Sequence, residues 1–158
     1  MKYTTLLALL LMYTGVQATA AGHSEKLYDT TLINLKICKR WKLVELNGQR
    51  LSDMANPPVK VPYMELDSKR RIAGYSGCNR FFGTYELNPN DRVSFSAMGM
   101  TRMACAQENN VEADLMQVLS SADSFVLVRD TLVLNRARMA PLARFVRMKS
   151  NPDKKKSK

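Results

Sequence analysis

Histidine is the scarcest chemical resource of this chain: 158 residues hold one, His23. A serine or cysteine nucleophile needs a base to take its proton. His23 stands three residues past an expected cleavage site, in a terminus expected to fray, so a His-dependent hydrolase or thiol protease is not expected. Cysteine is scarce too, with Cys38, Cys78 and Cys105 alone, and the absence of C-x-x-C and H-x-x-H spacings removes the usual zinc sites. Apolar runs stay far short of the roughly 20 residues that a spanning helix needs. The chain is therefore not expected to span a membrane. The 14 Asp and Glu are scattered without a spacing diagnostic of paired catalytic carboxylates, and read as surface solubility.

What is present begins with the N-terminus. Met1-Lys2 precede an apolar run centred on Leu6 to Met12, and Ala18-Thr19-Ala20 offers small residues for cleavage. Residues 1–20 read as a secretory signal, with the mature chain starting at Ala21 and located in the periplasm or secreted. No cysteine follows the cleavage residues, and the first is Cys38, so lipid anchoring is not expected. The rest suits one domain. Residues 21–37 read as an N-terminal extension, 38–149 as the domain and 150–158, "SNPDKKKSK", as a solvated, disordered tail.

Charge is concentrated at the C-terminus. From Arg136 onward the cations Arg136, Arg138, Arg144, Arg147, Lys149, Lys154, Lys155, Lys156 and Lys158 face only Asp153. From Ala21 to Asn135, 14 cations nearly balance 13 acids. A polycation of this kind can hold a domain near an anionic envelope surface, or simply keep it soluble. Nucleic acid would attract it as well, but an exported protein seldom meets any.

Alternating apolar and polar residues mark short strands. Trp41 to Leu46 runs into Asn47-Gly48, a strong hairpin signal. Val59 to Leu66 reads as a strand with Pro62 at an edge or bulge. "RIAGYSG", "FFGTYEL", "RVSFSAM", "SFVLV", "TLVLN" and "LARFVRM" complete about eight strands. One segment differs: Val111, Leu115, Val118, Leu119 and Ala122 recur at helical spacing, with Asn109 and Glu112 reading as a capping box. The fold class is mostly β (α+β): a curved antiparallel meander or barrel-like sheet with one packed helix.

The stretch "GYSGCNRFFGTYEL", Gly74 to Leu87, asks what Cys78 does in a glycine-rich turn. It resembles the G-x-S-x-G nucleophile elbow only loosely, because Cys78 stands at the final glycine and no helix follows. In "MGMTRMAC", Met98, Met100, Met103 and Cys105 are soft donors that would suit Cu(I), although methionine also fills irregular core gaps. No cofactor is expected. In an oxidising compartment a disulfide is the stronger reading. Three cysteines allow three pairings; Cys78 with Cys105 would staple the strand region to the helix start and leave Cys38 as the odd thiol. Gly74, Gly77 and Gly83 permit bends, Asn79 can bond nearby backbone, and Tyr75, Phe81, Phe82 and Tyr85 offer area to the core.

Two paired motifs, G-C-N-x-x-x-G-x-Y (Gly77, Cys78, Asn79, Gly83, Tyr85) and T-x-M-x-C (Thr101, Met103, Cys105), precede the helix "VEADLMQVL" and follow Trp41-x-Leu43. Together they resemble the META domain, the HslJ-like family, over Cys38 to Met148. The resemblance implies a compact β-rich domain with one helix, bacterial envelope location, a link to stress responses and no established enzymatic activity. Cys38 and the lysine-rich tail depart from the family pattern.

The expected function is a non-catalytic envelope protein, monomeric, that binds or protects envelope components under stress. The alternative is an inhibitor or assembly factor that docks one protein partner, through a strand edge for example. No residue is assigned a catalytic role.

Overall fold

The computed structural model describes residues 30–105, 110–137 and 140–149. The expected leader, the capping residue Asn109, Arg138 and the lysines from Lys154 to Lys158 lie outside them. Among the described residues two α-helices, α1 (Thr30–Ile37) and α2 (Val111–Ser121), accompany nine strands. These are β1 (Arg40–Leu46), β2 (Gln49–Arg50), β3 (Tyr63–Leu66), β4 (Arg71–Tyr75) and β5 (Arg80–Asn88), then β6 (Arg92–Met100), β7 (Ser124–Val128), β8 (Thr131–Asn135) and β9 (Ala143–Arg147).

The pairing runs antiparallel in chain order from β3 to β9, and β1 bonds both β3 and β9. Eight strands thus close a barrel, while β2 hangs on β1 as the arm of a hairpin. That hairpin turns at Asn47 (φ 48°) and Gly48 (φ 80°), both left-handed as a two-residue turn matched to strand twist requires. One seam is thin, because β6 meets β7 at the single pair Arg92 with Ser124. Helix α2 packs against β6 and buries Val111, Leu115, Val118 and Leu119, four of the five positions at helical spacing; Ala122, just past its end, is buried as well.

Inward residues fill the lumen. Trp41, Leu43, Met64, Ile72, Phe81, Tyr85, Leu132, Leu134 and Phe145 are at most 1% exposed. An eight-stranded barrel is narrow enough for such side chains to occupy it fully. Pleating sends alternate residues outward, so of the neighbours Phe81 and Phe82 only the first enters the core, and Phe82 is 58% exposed rather than buried as its aromatic character suggested.

The segment expected as one strand from Val59 to Leu66 pairs only from Tyr63. Pro57, Pro58 and Pro62 lack the N–H that a ladder needs, although the Pro62 carbonyl still accepts from Leu43 N at 2.9 Å. Helix α1 begins within the expected extension, and Ile37 belongs to the core at 1% exposure. The Trp41 indole N–H donates to the Ile37 carbonyl at 2.8 Å, satisfying one of the orphan acceptors at the helix end.

Curvature comes from two glycine positions. Gly83 on β5 stands opposite Ala97 and Met98 on β6, a bulge in which Ala97 takes φ 51°. A Cβ on Gly74 would fall 2.3 Å from the Tyr63 carbonyl oxygen and 2.4 Å from Phe81 Cζ. Gly74→Ala is therefore expected to lower stability by about 2 kcal/mol, through overpacking against backbone that cannot yield. Urea unfolding checks it; an unchanged midpoint would mean that the β3–β4 pair opens freely.

Candidate functional site

The turn between β4 and β5 carries the residues singled out in the sequence. Ser76 N donates to the Asn79 carbonyl at 2.9 Å, closing a tight turn over Gly77 and Cys78. Gly77 sits at φ 111°, closed to other residues, and a Cβ there would press on Pro58 at 3.1 Å. The Tyr75 hydroxyl braces the same turn by donating to the Gly77 carbonyl at 2.9 Å. Cys78 and Cys105 stand at disulfide distance, S–S 1.97 Å, with Cα atoms 5.8 Å apart. The expected pair is thus the one the fold brings together, and it ties the β4–β5 turn to the segment entering α2.

Asn79 is the hub, 2% exposed. Its Oδ1 accepts from Thr101 Oγ1 at 2.9 Å and from Met103 N at 2.7 Å. Its Nδ2 donates to Glu112 Oε1 at 3.1 Å and to the Met103 carbonyl at 3.3 Å. Asn79 N donates to Glu112 Oε2 at 2.9 Å. Thr101 adds a second stitch by accepting from Arg80 N at 3.1 Å. Asn79 therefore holds the T-x-M-x-C segment against the G-C-N turn.

Glu112 completes the cluster in a role the capping reading missed. Asn110 is the residue at the N-cap, with no side-chain cap bond, and the Glu112 carboxylate turns instead to the β4–β5 turn. It accepts there from Ser76 Oγ as well as from Asn79. The Ser76 hydroxyl has one proton and two acceptors in reach, the carboxylate and the Asn79 carbonyl, and the charged one is the stronger. A carboxylate in the first turn of α2 is also favoured by the helix dipole. No local pattern announces a contact across 33 residues. A hydrophilic residue on the first turn of a packed helix was the available signal.

Ser76 is fully buried, its hydroxyl bonded to the Glu112 carboxylate, and both residues line the cleft beside the disulfide. Cys78, Cys105 and Glu112 have donor atoms within 4.8 Å of one another, but both sulfurs are committed to each other. Of the soft-donor set, Met98 and Met100 are half-buried against the core, and Met103 is 59% exposed. Beside the disulfide lies a cleft of about 440 Å³ between Val59, Tyr75 and Gly77 on one side and Met103, Ala104 and Ala113 on the other.

At the other pole of β5, Tyr85 is buried, and its hydroxyl donates to the Asp67 carbonyl at 2.7 Å. The odd thiol Cys38 is half-buried, 3.5 Å from the same hydroxyl. Burial first, then the Cys38 contact, pushes the Tyr85 phenol well above its ordinary value.

Among the described residues the C-terminal cations lie at both ends of the barrel. Arg136 follows β8 at one end of the barrel, while Arg147 and Lys149 leave β9 at the other, since Thr131 pairs with Val146 and Leu134 with Ala143. Arg144 pairs with Glu45 at 3.3 Å and Arg147 with Asp130 at 3.4 Å.

Residues 34–149 match the family model described as META domain. Three solved structures are similar in fold. One NMR structure is 26% identical, with TM-score 0.53, over 71% of this chain and 91% of its own. A second, of a protein from Burkholderia xenovorans, is 26% identical with TM-score 0.55 over 75% and 87%. A crystal structure of a DUF4847 family protein from Bacteroides vulgatus shares the fold at 14% identity, TM-score 0.56, over 76% and 99%. No curated protein matches the chain.

Proposed function

Because the chain belongs to the META domain family, we propose that it is a non-catalytic domain exported to the periplasm or the exterior, where it binds and protects envelope components under stress. The observation that carries this reading is the closure of the motif. Ser76 and Asn79, at 0% and 2% exposure, spend their hydrogen-bonding groups on the turn, Glu112 and the T-x-M-x-C segment. Such a cluster fixes a shape, and the outer surface is left to meet partners. The cysteine pair at disulfide distance fits an oxidising compartment, and among the described residues no helix is long and apolar enough to cross a membrane.

A second reading, an inhibitor or assembly factor for one partner, is supported by β6. Beyond Val93 that strand pairs only with β5 among the described residues, with α2 packed against it, and an extended segment could add where the helix leaves its edge uncovered.

The test is expression of the whole gene in a bacterial host. The expected product is released by osmotic shock, begins at Ala21 and yields a Cys78–Cys105 peptide on non-reducing digestion. A cytoplasmic chain that retains Met1 and free thiols would overturn the reading. Cross-linking in envelope extract separates the two forms: several substoichiometric partners support the first, one stoichiometric protein the second.

A further inference from the structure

We infer that the outer face of β7, β8, β9 and β1 docks on an anionic phospholipid bilayer. The inference deepens the envelope-binding reading and rests on it, naming the partner. Register places two rows of side chains across this face. One row runs Val126, Val133, Arg144, Glu45, and the next runs Val128, Thr131, Val146, Lys42, each residue directly opposite the one before it. Residues so paired share a face of the sheet. The intervening positions Phe125, Leu132, Leu134 and Phe145 point inward and already fill the lumen.

An antiparallel sheet with one face on the core usually shows polar residues on the other. Here Val126, Val128 and Val146 are 48%, 59% and 38% exposed, and Met148, two residues past Val146, is 39% exposed, while Val133 between Val126 and Arg144 is buried. The core does not need these side chains. Exposed apolar side chains gathered on one sheet face mark a docking site.

The charge around it selects the occupant. Lys42, Arg129, Arg144, Arg147 and Lys149 border the patch, against the acids Glu45 and Asp130, a net of +3. Arg129 is presented by a left-handed turn (φ 52°) between Val128 and Thr131, and Lys149 follows Met148. From Lys149 the sequence continues through Ser150 to Lys158, adding four lysines against Asp153. Apolar side chains ringed by cations match the headgroup boundary of an anionic bilayer, where valines and methionine enter the acyl margin and the cations meet phosphate. An acidic protein surface would satisfy the cations but leave the valines unmatched.

The test is sedimentation of the exported full chain with phosphatidylglycerol-containing vesicles and with neutral phosphatidylcholine vesicles. Binding to the anionic vesicles alone is expected, falling steeply with salt. Val128→Ser with Val146→Ser, and Arg129→Ala with Lys149→Ala, are each expected to weaken it by at least about tenfold. All four positions are exposed, so unchanged thermal unfolding is expected of both variants. Absent vesicle binding overturns the inference. So does wild-type binding by the valine variant, or equal affinity for duplex DNA, either of which would reduce the surface to a charge that any polyanion satisfies. A chain that fails to be exported sinks the envelope reading without altering the vesicle result, and an exported chain that ignores vesicles sinks the docking face alone.

Discussion

Asn79→Ala is expected to lower the melting temperature by about 10 °C, on the basis of about 3 kcal/mol lost. The substitution leaves Met103 N and the Thr101 hydroxyl without their acceptor, and Glu112 Oε1 without a donor, in a region where Asn79 itself is 2% exposed. Asn79 is buried where these bonds converge, although Thr101 and Met103 reach the surface, and the loss of several bonds at once sets the size of the effect. Circular dichroism during heating measures the effect. A shift under 2 °C, against a scale of about 4 °C per kcal/mol for a domain of this size, would mean that water or relaxation satisfies the same groups.

The second large effect belongs to the cysteine pair. Its removal should cost about 3.5 kcal/mol, because a closed loop spanning 27 residues no longer restrains the unfolded chain. Reduction, or Cys78→Ala, is accordingly expected to lower the melting temperature by more than 10 °C. Cys38→Ala is the control and should change it little, since the thiol is half-buried, unpaired with another cysteine and 3.5 Å from the Tyr85 hydroxyl. Cys105 is exposed, so a reductant has access to the bond without prior unfolding. Thiol labelling that confirms full reduction alongside an unchanged unfolding curve would show that the hydrogen bonds of Asn79 alone hold the turn to the α2 approach.

Legibility of the fold followed the physics of each segment. Strands such as Arg40–Leu46 and Arg71–Tyr75 were readable because one face meets the core and the other water, and the residues alternate accordingly. Helix α1 was not, since Leu32 and Leu35 are exposed and blur the stripe made by Ile33 and Ile37. Val59 to Pro62 mimicked a strand by composition, but prolines lack the donors of a ladder. The turn around Cys78 announced itself through its glycines, whereas the role of Glu112 did not, because its partners are 33 and 36 residues away. The valine face was hidden for another reason. "SFVLV" and "TLVLN" are apolar in both phases of the pleat, a pattern that fits burial on both sides, so sequence alone does not reveal that one side is open.

The central claim is that the paired motifs and Glu112 form a single structural lock. A double-mutant cycle in urea, with Asn79→Ala, Glu112→Ala and both together, addresses it most directly. The Asn79 amide donates to Glu112 Oε1 at 3.1 Å, a bond that either substitution removes, whereas the backbone N–H bond at 2.9 Å is lost only with Glu112, so the account predicts large single losses and a coupling of about 1–2 kcal/mol from the side-chain bond. Near-native stability in both single variants, or losses that add to within about 0.5 kcal/mol, would contradict it and return these residues to the list of groups free for chemistry.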